Sequence, residues 1–342
     1  MLTGIFVFLG LSFLILAHEA GHFFVAKLFK LKIDEFGFGF PPRMFARKYG
    51  ETEYSMNWLP FGGFVKIAGE SDQFDETAHK EIPPEEEKRF FRTQSAPRRA
   101  AIMVAGVAVN FLIGWILLSA IFMIGTPVVI TGVVPDSSAD TAGILSGDVV
   151  QGFSRAEEFS AFIHERQGVK VPLMLLRDGK EIRVIVTPRV LPKGERGALG
   201  VSLSGIARES FFASIREGFM EAMQIAKLTL VGFWQLFAGL LGQGKLVEGI
   251  VGPVGIFGVA VSAGKAGFIF VFHLLALISV NLAVVNLIPF PALDGGRLML
   301  VGIEKMKGSR LSKKVEIGIN AVGFGILILL MVLITIRDIL TL

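Results

Sequence analysis

The chain has 342 residues, of which 52% are hydrophobic, and its mean hydropathy is +0.62. A soluble protein of this length is rarely so apolar, so the composition predicts an integral membrane protein. The formal net charge of +4 is small, and we attribute it to membrane topology rather than to a nucleic-acid partner. The sequence contains no cysteine, which excludes disulfides, thiolate metal ligands and a cysteine nucleophile.

Four apolar stretches are long enough to cross a bilayer, which requires about 20 residues. They cover approximately residues 2–24, 100–125, 267–293 and 315–336. The first stretch lacks a basic n-region and an A-x-A-like cleavage site, so we do not expect it to be a removable signal peptide. This pattern predicts a polytopic α-helical membrane protein with about four transmembrane helices.

The section between the first two spans contains two glycine-rich aromatic segments, FGFGFPPRMF at 36–45 and NWLPFGGFVKIAGE at 57–70. Phe and Val alternate around the glycines, which predicts short strands or hairpins in a β-loop region at 33–70. We assign this region and the first two spans to an N-terminal membrane core, 1–125. The last two spans form a C-terminal membrane core, 265–342.

Residues 126–190 are predicted to form a water-soluble αβ domain between the spans. Its β-rich runs alternate with turn signals, and RDGK at 177–180 predicts a hairpin turn. The next section, 191–264, contains a helix candidate at 209–241 with charges at its front and an apolar tail, and then a Gly/Pro-rich segment at 249–264. Hydropathy does not decide whether either segment crosses the membrane.

The distribution of Lys and Arg predicts the orientation of the chain. These residues are concentrated in sections 25–99 and 297–314, which the positive-inside rule assigns to the cytoplasm. We therefore expect the 126–190 domain and both termini to lie on the extracytoplasmic side.

The motif HEAGH at residues 18–22 introduces ionisable groups into the first predicted span. His18 and His22 are four residues apart, so on a helix they share one face and can bind one tetrahedral Zn²⁺. Glu19 is suited to be the general base of a metalloprotease. The alternative is that these groups only hydrogen-bond within a helix bundle, but ionisable residues in a span are costly and by default functional.

A hydrolytic zinc site has three protein ligands and one open position, so a third Asp, Glu or His is needed at membrane depth. Asp294 is the best candidate, because prolines and glycines break the helix in NLIPFPALDGGRL at 286–298. Irregular backbone at that depth is tolerated only against protein or a wet cavity. The alternative is an ordinary Asp-Gly turn at a helix end. His79 and His164 lie in polar regions, and His273 lies early in the third span.

The depth of the motif adds a constraint. His18 lies about 24 Å along the first span at 1.5 Å per residue. Because the N-terminus is expected outside, the first span runs inward, and we expect the zinc near the cytoplasmic side. Asp294, at the far end of its own span, meets the zinc only if that span also runs from outside to inside. A crossing by 209–241 would reverse this direction, so we predict that this segment lies along the outer interface as an amphipathic helix.

These motifs together resemble the site-2 protease family of intramembrane zinc metalloproteases, and the resemblance covers nearly the whole chain. HEAGH matches the HExxH signature, and NLIPFPALDGG at 286–296 matches the second motif, an Asn followed by Pro and LDG. LPFGGFVKIAGE at 59–70 resembles the reentrant β-loop, and GPVGI at 252–256 resembles the segment before the third core span. VAGVAVNF at 104–111 resembles the second-span motif, in which Val107 replaces the usual Pro.

The resemblance implies one Zn²⁺ per chain, bound by His18, His22 and Asp294, with Glu19 as the catalytic base. It also implies that Asn286 positions substrate or stabilises the oxyanion, although an Asn in a span equally serves helix packing.

Two further roles remain open on the residues alone. Asn110 fits helix packing better than a substrate contact. There are two alternatives for the strands of 57–67. In the first, unwound substrate pairs with them as an added strand, at Gly62, Gly63, Phe64 and Val65; in the second, the strands only shape the cavity wall.

The 126–190 domain resembles a PDZ domain, because SSADTAGILSGDVV at 137–150 is similar to a PDZ helix and turn. PDZ domains bind C-terminal carboxylates or extended strands, such as a newly exposed C-terminus. The resemblance thus implies a protease of the bacterial inner membrane. Its expected substrates are single-span proteins such as anti-sigma factors, and remnant signal peptides, cleaved after their outer domain has been trimmed.

Two other classes of function fit the sequence less well. A catalytically silent scaffold that binds partners through the PDZ domain is expected to have lost Glu19 or a ligand, and all four residues are present. A transporter with a buried ion pathway lacks support, because the spans show no inverted repeat of hydropathy.

Overall fold

A computed structural model describes residues 2–70, 83–177, 179–192, 197–243 and 252–340. Within these residues four helices are long and apolar enough to cross a membrane, as the sequence predicted. They are Gly4–Leu28, Ala96–Ile124, Phe268–Leu287 and Lys314–Leu340.

The described helices are α1 Leu2–Leu28, α2 Pro84–Glu87, α3 Ala96–Ile124, α4 Ser138–Thr141, α5 Ala156–His164, α6 Phe211–Gln243, α7 Pro253–Ala266, α8 Phe268–Leu287, α9 Asp294–Lys307 and α10 Lys313–Leu340. The described strands are β1 Ile33–Tyr49, β2 Thr52–Ile67, β3 Val128–Val133, β4 Val149–Val150, β5 Val171–Arg177, β6 Lys180–Val186 and β7 Val201–Ser204. A short 3₁₀ turn, Phe91–Thr93, precedes α3.

The chain forms two compact units. The first, called the core unit, comprises Met1–Trp115, Ala222–Val261 and Leu274–Leu342. The second, called the sheet unit, comprises Ile116–Glu221 and Ser262–His273.

The third span of the prediction, 267–293, is shorter in the structure. α8 ends at Leu287, because Pro289 and Pro291 have no amide hydrogen and disfavour helical dihedrals in the residues before them. An irregular segment then leads to α9, whose first residue is Asp294. The helix break expected in NLIPFPALDGGRL is therefore present. In α3, by contrast, Val107 lies in an uninterrupted helix.

The segment 209–241 forms α6, which has 33 residues. α6 is not among the four helices apolar enough to span, yet Phe212 and Trp234 on its surface are 82% and 75% exposed. A charged helix with exposed aromatic side chains is typical of the membrane interface. Its position along the outer interface stays a prediction. Of the Gly/Pro-rich segment at 249–264, the first residues lie outside the described chain, and the rest begins α7.

The β-loop region 33–70 folds into two strands, β1 and β2, which are much longer than the short strands predicted. Gly37 of β1 lies opposite both Ser55 and Phe64 of β2, because β2 passes on both sides of this part of β1. Among the described strands, residues 63–65 therefore have a strand partner on one side only.

The β-loop region lies along α1. Ser12 Oγ, inside the first candidate span, donates a hydrogen bond of 3.0 Å to the Pro60 carbonyl oxygen. Near the other end of α1, Lys27 Nζ donates to the Glu51 carboxylate at the turn between the strands. Hydrogen bonds from Arg89 and Lys27 lower the pKa of Glu51 to about 2. These contacts fit the reentrant loop that the resemblance implies.

The sheet unit contains a five-stranded sheet of antiparallel pairs in the order β6-β5-β4-β3-β7. Its core includes the buried side chains of Ile130, Phe159 and Leu175. β5 and β6 form the hairpin predicted at 177–180, although Asp178 in the turn lies outside the described residues. The sheet extends beyond the predicted boundary at residue 190, because β7 pairs with β3.

Candidate metal centre

α1 positions the two histidines of HEAGH on one buried face. His18 and His22 are 6% and 7% exposed, and their ring centroids are 4.8 Å apart in an edge-on arrangement. The two Nε2 atoms are 3.2 Å apart. The spacing of one helical turn therefore brings both potential ligand atoms to one point, as predicted.

Asp294 reaches the same point from the break between α8 and α9. Its Oδ2 lies 3.0 Å from His18 Nε2 and 3.3 Å from His22 Nε2. The start of α9 lies so close to the end of α8 that the residue after the aspartate must be glycine, because a Cβ at Gly295 would lie 2.2 Å from the Leu287 carbonyl oxygen. The LDGG sequence thus allows the start of α9 to pack directly against the end of α8.

The three residues fit a zinc ion. A tetrahedral ion with bonds of about 2.0 Å holds its ligand atoms about 3.3 Å apart, close to the distances observed here. Asp294 Oδ2 is buried and accepts no hydrogen bond among the described residues, despite its proximity to two imidazole nitrogens. A buried carboxylate oxygen without a hydrogen bond is costly, and a shared cation accounts for it. His18, His22 and Asp294 are therefore able to hold the metal.

Contacts from α3 surround the histidines. His22 Nδ1 donates a hydrogen bond of 2.8 Å to the Ile102 carbonyl oxygen, which leaves Nε2 free to bind a metal. Gly106 gives the rings room, since a Cβ there would lie 2.4 Å from His22 Nε2. Asn110, which is fully buried, lies with its Nδ2 3.3 Å from His18 Nδ1.

A cavity of about 440 Å³ opens beside these residues. Glu19, His22 and Asp294 line it, together with Phe64 and Val65 of the β-loop edge. The partly exposed Glu19 is close to the β-loop, because a Cβ at Gly63 would lie 3.8 Å from Glu19 Cγ. The buried Gly62 does not line this cavity; a Cβ there would approach Phe40 and Ile15 instead.

The other residues considered from the sequence have different positions. Asn286, near the end of α8, has its Nδ2 3.5 Å from His18 Nε2. His164 ends α5 and His273 lies in α8, and both belong to the sheet unit rather than to the core unit that holds the metal centre. His79 lies outside the described residues.

Sequence reasoning missed two features of this site. The contact of Gly106 with the histidine rings was not predicted, although Gly106 lies one helical turn before Asn110 and therefore on the same face of α3. An ion pair of 2.5 Å between Arg297 Nη1 and Glu70 Oε1 connects α9 to the end of the β-loop, one turn after Asp294. No pattern in the sequence links these two distant charges.

Four candidate spans, with two buried histidines and a partly buried aspartate whose ligand atoms lie together, define the class as a membrane protein with a candidate metal centre. The family model described as Peptidase family M50 matches residues 6–330, and the chain belongs to this family, the site-2 protease family.

Curated relatives agree with this assignment. A protein of Clostridium perfringens, provisionally named a zinc metalloprotease, is 33% identical over 98% of both chains. The zinc metalloprotease RasP of Geobacillus kaustophilus is 30% identical over 95% of both chains, and that of Shouchella clausii 28% over 96% of both. The protein is therefore a zinc metalloendopeptidase with Zn²⁺ as its cofactor, and it acts on membrane proteins.

Proposed function

We propose that this enzyme cleaves the transmembrane segments of single-span membrane proteins, with His18, His22 and Asp294 as its zinc ligands and Glu19 as its catalytic base. The observation that carries the proposal is that two histidine nitrogens on α1, a helix apolar enough to span the bilayer, lie 3.0–3.3 Å from one oxygen of Asp294 and 3.2 Å from each other. A hydrolytic site in that position acts on peptide bonds at membrane depth.

The chain's own residues supply the steps around the metal. His18, His22 and Asp294 would hold a Zn²⁺ ion, which would supply Lewis-acid chemistry, that is, polarisation of the scissile carbonyl and a lowering of the pKa of water to about 7. Glu19 takes a proton from the attacking water and returns it to the leaving amine. The cavity beside Glu19 admits the water that hydrolysis consumes. Asn286, whose Nδ2 lies 3.5 Å from His18 Nε2, lies beside this site and is the proposed hydrogen-bond donor to the developing oxyanion.

The β-loop edge is the proposed binding site for unwound substrate. A transmembrane helix hides its carbonyl groups in hydrogen bonds, so it must open locally before cleavage. Residues 63–65 have a described partner strand on one side only, and we propose that their other side accepts an added strand. Phe64 and Val65 line the cavity that holds Glu19, so a strand added there runs past the catalytic base.

Residues 126–190, together with β7 of the same sheet, are proposed to form a PDZ domain that faces the extracytoplasmic side of the bacterial inner membrane, as do both termini. A groove between α5 and the segment Gly197–Leu203 has a volume of about 490 Å³, which suits a peptide end such as a newly exposed C-terminus. We propose that this domain excludes bulky outer domains, so that anti-sigma-factor-like proteins and remnant signal peptides are cleaved only after trimming. Deleting residues 128–204 then relaxes the need for trimming, and unchanged selectivity contradicts this role.

A substrate trap tests the main proposal. Glu19→Gln keeps the metal ligands but removes the base, so substrates bind without being cleaved. The variant and the wild type are purified from native membranes, and the co-purifying proteins are identified by mass spectrometry. Enrichment of single-span fragments that lack their outer domains supports the proposal. Equal recovery of intact partners by both forms favours a scaffold instead.

A further inference from the structure

The two histidines of the metal centre have different partners at Nδ1. A neutral imidazole carries one proton, so a histidine that binds metal through Nε2 carries its proton on Nδ1 and needs an acceptor there. His22 has such an acceptor, the Ile102 carbonyl oxygen at 2.8 Å. His18 Nδ1 instead lies 3.3 Å from the Nδ2 of Asn110, which is itself a donor.

This conflict between two donors is removed if the side-chain amide of Asn110 is rotated by half a turn, which exchanges the positions of Oδ1 and Nδ2. Its Oδ1 is buried and accepts no hydrogen bond among the described residues. The oxygen and nitrogen of an amide have nearly the same shape, so their assignment follows from the hydrogen bonds that each must make. Exchanging them brings Oδ1 against His18 Nδ1–H and provides the missing acceptor.

We propose that Asn110 is a positioning residue: its Oδ1 accepts a hydrogen bond from His18 Nδ1–H and so presents His18 Nε2 to the zinc. This inference rests on the proposed function, because it takes His18 as a zinc ligand. Such partners of ligand histidines fix the ring orientation, and their loss typically costs 10–100-fold in metal affinity.

The spacing on α3 supports the assignment. Ile102, Gly106 and Asn110 recur every four residues and so share one helix face. Ile102 contacts His22 and Asn110 contacts His18, which are also four residues apart. α3 thus presents an acceptor to each histidine, with Gly106 between them as the gap that the rings enter.

Helix packing, the other role considered for Asn110, uses a different part of the residue. Ser279 Oγ of α8 donates a hydrogen bond of 2.7 Å to the backbone carbonyl oxygen of Asn110. This contact between α3 and α8 does not involve the Asn110 amide. Ser279→Ala therefore removes the packing contact and leaves the amide in place, which makes it the matched control.

The experiment measures the rate at which the purified, zinc-loaded enzyme releases zinc to an excess of chromogenic chelator. Asn110→Leu removes the acceptor, and we expect release roughly 10–100-fold faster than from the wild type. Asn110→Asp keeps an oxygen acceptor of the same shape, and we expect release no faster than wild type. Ser279→Ala should release zinc at close to the wild-type rate.

His18→Ala separates this inference from the proposed function. If His18→Ala retains zinc as the wild type does, the ligand assignment fails and the inference fails with it. If His18→Ala loses zinc while Asn110→Leu releases it at the wild-type rate, only the positioning role is overturned. Should Asn110→Leu aggregate, Asn110→Asp decides, because faster release from that variant would mean that the Asn110 amide donates rather than accepts.

Discussion

Two aspartates, Asp148 in the sheet unit and the partly buried Asp294 in the core unit, have opposite surroundings. Asp148 in the sheet unit accepts two hydrogen bonds of 2.7 Å from the Arg177 guanidinium and one of 2.9 Å from the Leu145 amide. Asp294 in the core unit is also largely buried, yet its Oδ2 accepts no hydrogen bond among the described residues.

The difference is the one expected between a structural carboxylate, Asp148, and the metal ligand proposed at Asp294. Buried polar groups are normally hydrogen-bonded, because an unpaired one costs free energy. Asp148 follows this rule and ties β4 to β5 through Arg177. Asp294 departs from it beside two imidazole nitrogens, which is the arrangement expected of a carboxylate that binds a cation. A substitution should therefore affect folding in the first case and metal binding in the second.

The largest effect is expected from Asp294→Asn. The amide lacks the negative charge that a zinc ligand supplies, so zinc content and proteolysis should both fall to background. The paired variant Asp148→Asn should keep one zinc per chain. Metal analysis of the two purified proteins checks this, and full zinc occupancy in Asp294→Asn would contradict the ligand assignment.

Arg177→Ala tests the structural half of the comparison. It leaves the Asp148 carboxylate buried without its main partner, and breaking such a pair costs about 3 kcal/mol. Hydrogen exchange of the β4 and β5 amides should quicken accordingly, while zinc content stays unchanged. The matched control is Arg183→Ala on the exposed side of β6, which should change stability by less than about 0.5 kcal/mol. Equal exchange in both variants would show that the buried pair adds no stability.

Gly106→Ala probes the room that α3 leaves for the histidine rings. The added methyl group would lie 2.4 Å from His22 Nε2, so the ring must shift. We expect zinc affinity to fall by roughly tenfold or more, within the range seen when the groups around ligand histidines are altered. Gly232→Ala in α6 is the control, because a Cβ there meets nothing within 4 Å. Competition with a zinc chelator gives both affinities, and wild-type affinity in Gly106→Ala would rule out this constraint.

The smallest expected effect is the pH dependence of the stability of the sheet unit. Burial raises the pKa of Asp148, but the hydrogen bonds from Arg177 and the Leu145 amide outweigh it and hold the pKa below its ordinary value of 3.8. A lowered pKa in the folded state stabilises the unit above about pH 4, and this stability is lost as the pH falls through the folded-state value. The protection factors of the β4 amides, which compare the observed exchange with the intrinsic rate at the same pH, should therefore fall in acid. Asp148→Asn should remove this component, and an identical acid response in the variant would contradict it.

Much of the membrane architecture could be predicted from the sequence, because its signals are local. Hydropathy located four spans, and the four-residue spacing of His18 and His22 predicted one shared face. The hydropathy span was drawn to residue 293, too long by six residues, because a hydropathy window averages over the prolines that end the helix; the break itself was predicted from those prolines. The double pairing along β1 and the strand beyond residue 190 also escaped prediction, because strand partners distant in sequence leave no local pattern.

Within the candidate site, the residues with recognisable chemistry were found and their supports were not. HEAGH and LDGG pointed to His18, His22 and Asp294, which the structure brings together. The acceptor for His22 is a backbone carbonyl at Ile102, and a carbonyl carries no sequence signature. Asn110 was seen but read as a packing residue, because its contact with His18 depends on how two helices are placed in three dimensions.

The most direct test of the central claim is X-ray absorption spectroscopy at the zinc edge of the purified enzyme. We predict two imidazole nitrogens and carboxylate or water oxygens at about 2.0–2.1 Å, and loss of one imidazole contribution, or of the zinc itself, in His22→Ala. A spectrum without imidazole ligands, or one that is unchanged in His22→Ala, would contradict the metal centre described for this protein.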